Sequence, residues 1–135
     1  MATCRLSARG PASPVLVWQR YAEPARWPSW SPQIRRVSVG PETVSAKQRI
    51  VAGLTGQVHG PAGIKLDFVV DRVDETARTW DWTVRLGPIS LRLLHTVEAV
   101  ASGATLTRLS VTGPLPVVLG YLPLAQLALG RLVRS

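Results

Sequence analysis

Few side chains in this sequence are able to do acid-base, nucleophilic or metal chemistry: His59, His95, the single Cys4 and eight carboxylates. His95 is the one whose position raises a chemical possibility. In ISLRLLHTVEA, strict alternation places it with Ile89, Leu91, Leu93 and Val97 on one side of a strand, opposite Ser90, Arg92, Thr96 and Glu98. An imidazole aimed into an apolar space can serve as general acid or base, or orient a ligand carbonyl or hydroxyl. It can equally be a wall residue whose hydrogen bonds are met inside the protein. In either role desolvation disfavours the charged form, so a neutral ring is expected. His59 precedes Gly60 and Pro61 in a turn-forming sequence and is assigned no role.

Other chemistries lack the necessary pattern. Asp67, Asp71 and Asp81 fall on polar sides of their strands, whereas a paired-carboxylate mechanism needs two acids in one pocket. No Ser/His/Asp constellation can be assembled, and GLTG has neither the strand-to-helix context nor the following lysine of a phosphate loop. One cysteine forms no internal disulfide, and no CxxC or Cys/His cluster offers metal ligands, so neither metal nor cofactor is expected. This cysteine usage fits a reduced, cytoplasmic setting.

The elements that must position His95 follow from periodicity. TCRLSAR reads as a short first strand, and Ser13 with Pro14 opens a helix as N-cap and first-turn proline. Val15, Trp18 and Ala22 share that helix's predicted inner face, and Pro24 ends it. PARWPSWSP holds three prolines, compatible only with short helical turns that tuck Trp27 and Trp30 inward. From Gln33 the period changes to two, predicting strands over 33–39, 53–59, 64–73, 79–87, 89–101 and 104–112 joined by short breakers. Short connections make neighbouring strands antiparallel. The stretch 41–52 has no readable pattern.

Alternation also separates the faces. Ile64, Leu66, Phe68 and Val70 lie on one side of their strand, and Trp80, Trp82, Val84 and Leu86 on one side of the next. A sheet with one apolar face must be covered, and the C-terminal GPLPVVLGYLPLAQLALG is the remaining apolar element long enough to do so. At 100° per residue it places Val118, Tyr121, Ala125, Ala128 and Leu132 together, with Gln126, Gly130 and Arg134 opposite, and Pro123 is expected to interrupt it. The fold class is therefore α+β: a curved antiparallel sheet of about six or seven strands around a C-terminal helix, with two short helices after the first strand. Ala125 and Ala128 either leave room for a ligand or permit close helix-to-sheet approach.

Composition bounds the partners. At 135 residues the chain fits one domain spanning 1–135, and 46% hydrophobic residues are too many for disorder. The net charge of +8 raises nucleic acid and anionic membranes. The basic residues are scattered, however, and nearly all arginine in a chain without asparagine, which matches the codon bias of a GC-rich, bacterial genome. No specific nucleic-acid site is expected. Arg5 and Arg9 interrupt any N-terminal targeting segment, and prolines with Gln126 break the C-terminal stretch, so no integral membrane span is expected. A homodimer remains open.

VWQRYAEPARWPSWSPQIRRVSV, with its helix, Trp-Pro-x-Trp turn and second strand, and HTVEAVASGATLTRLSVTG, with its last hairpin and closing glycine, resemble the START-like or SRPBCC superfamily, in particular its polyketide cyclase/dehydrase branch. The resemblance spans nearly the whole chain. It implies a helix-grip fold whose cavity, between sheet and final helix, accepts lipids, polyketides or other apolar molecules. It also places Trp27 and Trp30 beside the cavity mouth, as gate or as packing.

The candidate ligand-binding set is Leu66, Phe68, Trp80, Trp82, His95, Arg108, Tyr121 and Ala125. The aromatics among them form either a wall for a flat ligand or a plug for the core. Arg108 shares a face with Leu106, where its guanidinium could meet a ligand carboxylate; a bulge or edge position would explain it as well. Three functions follow: a binding or carrier domain for a small apolar molecule; a cyclase, aromatase or dehydratase in which His95 moves a proton; and a membrane-surface or protein-interaction module using arginines and the apolar tail.

Overall fold

Alternating strands and one apolar helix assemble as their patterns require. The computed structural model describes residues 1–135. β1 (Ala2–Gly10) is followed by α1 (Pro14–Ala22), a 3-10 turn at Pro24–Arg26 and α2 (Trp27–Trp30). Then come β2 (Arg36–Val39), β3 (Glu42–Thr43), β4 (Thr55–His59), β5 (Lys65–Asp74), β6 (Thr79–Leu86), β7 (Ile89–Ala99), β8 (Thr105–Gly113) and α3 (Leu115–Leu132). The strands form one antiparallel sheet in the order β1-β8-β7-β6-β5-β4-β2-β3. The eighth strand, β3, arises in the stretch whose sequence has no alternation. It is two residues long and held by pairing with β2 rather than by burial.

The opening of α1 is as predicted, with Ser13 Oγ accepting the Leu16 N–H at 3.2 Å. Its buried face is different. Val17, Trp18, Tyr21 and Ala22 are buried while Val15 is 55% exposed, because the helix is rotated to bring the large Tyr21 ring against the sheet. The two tryptophans of α2 complete the end of α1. Its last carbonyls would lack partners, and Trp30 Nε1 donates to Arg20 O at 3.0 Å, Trp27 Nε1 to Tyr21 O at 2.8 Å and the Ile50 N–H to Ala22 O at 2.8 Å.

α3 runs unbroken through Pro123, correcting the expected interruption. Proline deprives the Leu119 carbonyl of its helical partner, but both residues lie on the exposed side, where water can replace it. The helix lies along β1. Its far end packs on Gly10, where a side chain would strike the Val133 carbonyl, and the Ala12 N–H bonds that carbonyl at 3.0 Å. Arg20 Nη1 donates to Leu132 O and Arg134 O, both at 2.6 Å, satisfying further end carbonyls. In β5 a bulge between Val70 and Arg72 re-aims the strand, so Arg72 meets the buried Asp81 carboxylate at 2.8 Å on the outer face and Val73 turns inward.

Gly10→Ala is therefore expected to cost about 1–3 kcal/mol, since backbone must shift to admit the methyl group. A lowered urea midpoint with an unchanged m-value is the expected result.

Candidate functional site

Between the inner face of the sheet, α2 and α3 lies an apolar space of about 110 Å³, lined by 18 residues of which 15 are hydrophobic. Its aromatic wall follows from register. Trp80 and Trp82 are two apart on β6, so both point inward, and His95 is the β7 residue directly opposite Trp80. The Trp80 ring stacks on His95 at 4.7 Å and 13° between planes, and Trp27 stacks on its neighbourhood at 5.7 Å from Trp80 and 5.0 Å from Trp82. On the helix side Ala125 and Ala128 face this wall, and Tyr121 closes one edge.

His95 is 4% exposed, and its two ring nitrogens are both engaged. Trp82 Nε1 lies 2.9 Å from His95 Nε2, and an indole N–H can only donate, so Nε2 carries the lone pair. Nδ1 therefore carries the proton and donates to Tyr21 Oη at 3.1 Å. Tyr21 then donates to Thr107 Oγ1 at 3.1 Å, and Thr107 donates to the Thr96 carbonyl at 2.9 Å. One donor-only group at the start assigns every proton along this chain. Burial holds the imidazole neutral, with a pKa lowered to about 3, and pushes the Tyr21 hydroxyl well above the usual phenol range.

Of the residues singled out from sequence, Leu66, Trp80, Trp82, His95, Tyr121 and Ala125 line the space, as do Trp27 and Trp30. Phe68 is buried one layer back, edge-on to Trp82 at 5.6 Å and 5.7 Å from Trp27. Arg108 is a correction. The inward residues of β8 are Thr105, Thr107, Leu109 and Val111, so alternation sends Leu106 and Arg108 to the outer face, where Arg108 Nη1 pairs with Glu98 Oε1 at 3.1 Å. No guanidinium enters the space. Tyr21 and Thr107 were missed, although threonines at two successive inward positions of β8, Thr105 and Thr107, signal a buried polar network. No three His, Cys, Asp or Glu side chains gather where a metal could be held. Two polar atoms on lining residues, Trp80 Nε1 and Gln33 Oε1, have no partner in the protein.

Two measurements test this network. Tyr21→Phe leaves the His95 Nδ1–H without an acceptor and should lower stability by about 1–3 kcal/mol. The pH dependence has a definite sign, because His95 has a folded pKa of about 3 and an unfolded value of 6.5. The unfolded chain binds the extra proton between those values, so the stability it confers is complete above pH 6.5 and lost as pH falls toward 3. Urea midpoints between pH 7 and pH 5 should show this loss, with a limiting slope of about 1.4 kcal/mol per pH unit that is absent in His95→Gln.

The fold is shared with many solved structures. XoxI from Bacillus cereus superposes with a TM-score of 0.79 at 17% identity, covering 98% of this chain and 94% of that one. Ara h 8.0201 gives a TM-score of 0.72 at 16% identity, covering 97% and 94%. The di-domain ARO/CYC BexL, from the BE-7585A biosynthetic pathway, gives 0.77 at 15% identity; 98% of this chain matches 45% of that two-domain protein. These likenesses establish a helix-grip fold. No curated protein matches the chain significantly. The model of the family described as polyketide cyclase/dehydrase and lipid transport matches residues 1–135, and with that match over its whole length the chain belongs to this family.

Proposed function

We propose that the chain, acting as a single domain over residues 1–135, binds a small apolar molecule in the space between sheet and α3, as a carrier or binding protein. The observation that carries this reading is a lining of 15 hydrophobic residues out of 18, walled by stacked tryptophans and faced by two alanines of α3. At about 110 Å³ the space suits a body of roughly one aromatic ring. A lipid or polyketide chain enters only if α3 shifts outward. The uncommitted Trp80 Nε1 donor and Gln33 Oε1 acceptor favour a ligand with one polar group at its end.

The commitment of both His95 nitrogens favours binding over catalysis. A general base needs a lone pair within reach of the substrate proton, and the only lone pair on this ring accepts from Trp82. A cyclase or dehydratase reaction using His95 would first require the indole to rotate away.

Native mass spectrometry of protein purified from cells should reveal a copurified small molecule. In a fluorescent-dye titration, Ala125→Leu is expected to fill the space and weaken binding at least about tenfold, or about 1.4 kcal/mol. Trp82→Ala should weaken it and Arg92→Ala should not, since the Arg92 side chain is 58% exposed on the outer face. Equal losses in the two variants, both folded, would sink the assignment of this space as the binding site.

A further inference from the structure

Half of α3 has no protein partner. Its inner side, with Val118, Ala125, Leu129 and Leu132, is buried, while Leu115, Leu119, Leu124 and Leu127 are 51%, 52%, 44% and 49% exposed. The exposed positions between these leucines are Pro116, Gly120, Pro123 and Gln126, and no charged residue occurs from Leu109 to Gly130. A helix apolar on all sides is normally covered on all sides, and a continuous exposed apolar strip marks an interaction surface.

Charge identifies the surface it fits. All eight carboxylates of the chain lie between Glu23 and Glu98, so β1, α1, β8 and α3 contain none. β1 pairs with β8 at one edge of the sheet, and α3 is fastened along the open edge of β1, where Gln126 Nε2 donates to Ser7 O at 3.1 Å. Arg20 on α1 and Arg108 on β8 already have protein partners. Arg131 and Arg134 at the end of α3 are exposed and make no salt bridge, whereas Arg5 and Arg9 alternate onto the opposite face of β1 from the one that α3 packs on.

We propose that the outer face of α3 rests on an anionic lipid bilayer, its leucines at the boundary of headgroups and acyl chains and Arg131 and Arg134 against the headgroups. A flat-lying helix with one apolar face and arginines at its end has the character of an interfacial anchor. With 18 residues at mean hydropathy 1.4 the helix is apolar enough to cross a membrane, but doing so would strip the cover from the sheet. It lies on the bilayer instead. A second copy is a poor occupant of the face, because an isologous pairing would oppose arginines with no carboxylate to meet them. This surface is separate from the lining of the cavity and does not depend on what the cavity holds.

Co-sedimentation of the full chain with vesicles tests the proposal, comparing phosphatidylcholine alone with a mixture containing about 30% phosphatidylglycerol. Binding to the anionic vesicles should exceed binding to neutral ones by about tenfold and weaken as sodium chloride is raised. Leu119→Glu/Leu127→Glu should abolish it, and Arg131→Gln/Arg134→Gln should reduce it several-fold without removing any of the exposed leucines. Both pairs should keep the wild-type melting curve and dye affinity. Failure to bind anionic vesicles, equal binding to both kinds, or binding undiminished in the two arginine substitutions would overturn the proposal. So would a concentration-dependent dimer, seen by sedimentation without lipid, that Leu119→Glu/Leu127→Glu makes monomeric.

Discussion

Everything in this molecule answers to the need to cover one apolar face of a wide antiparallel sheet with a single helix. Five of its eight strands, β4 to β8, present Val58, Phe68, Trp80, Trp82, Leu93, Leu109 and Val111 to the same side. A helix of 18 residues is narrower than that sheet, and it approaches closely because Gly10 on β1 has no side chain to hold Val133 away. The uncovered remainder is filled from the other end of the chain. α1 and α2 supply Trp18, Tyr21, Trp27 and Trp30, and the carbonyls left open at the end of α1 are met by the indoles of α2. The space beside Ala125 and Ala128 is what remains between these two covers and the sheet.

Within that apolar setting a chain of polar groups survives only because every member is paired in a fixed direction. An unsatisfied imidazole or phenol at these positions would carry a desolvation penalty of about 1–3 kcal/mol each. The Trp82 indole, donor only, orients His95, and His95 orients Tyr21, which orients Thr107 toward the Thr96 carbonyl. The arrangement locks α1 to β7 and β8 at a defined position. It also determines the chemistry available, since a ring with both nitrogens engaged presents its face, not a lone pair, to a bound molecule. Stacking against Trp80 makes that face part of the aromatic wall.

The two sides of α3 serve different surroundings. Its inner side borders the cavity through Tyr121, Ala125, Ala128 and Leu129, and its outer side is a strip of leucines that ends in Arg131 and Arg134. If its outer side rests on lipid as proposed, the helix is suited to couple that surface to the cavity. Any outward shift that enlarges the cavity would press its leucines further into whatever covers them. β1, α1, β8 and α3 carry no acid because all eight side-chain carboxylates lie between Glu23 and Glu98.

Much of this architecture is legible without coordinates. Period-two alternation in β5, β6 and β7 assigns Leu66, Trp80, Trp82 and His95 to the inner face, because a strand's side chains have only two directions to point. Likewise the 100° turn per residue separates Val118, Tyr121, Ala125, Ala128 and Leu132 from Gln126 in α3. Where local rules compete with long-range contacts, the sequence is silent or misleading. Val15 is helical and apolar yet exposed, Pro123 sits in a helix that continues past it, and Arg108 faces outward against the expected cavity position. The two hydrogen-bond partners of His95 lie 13 and 74 positions away along the chain. Alternation determines which way a side chain points, but which other side chain it meets depends on how strands register and helices rotate, and only the tertiary structure decides that.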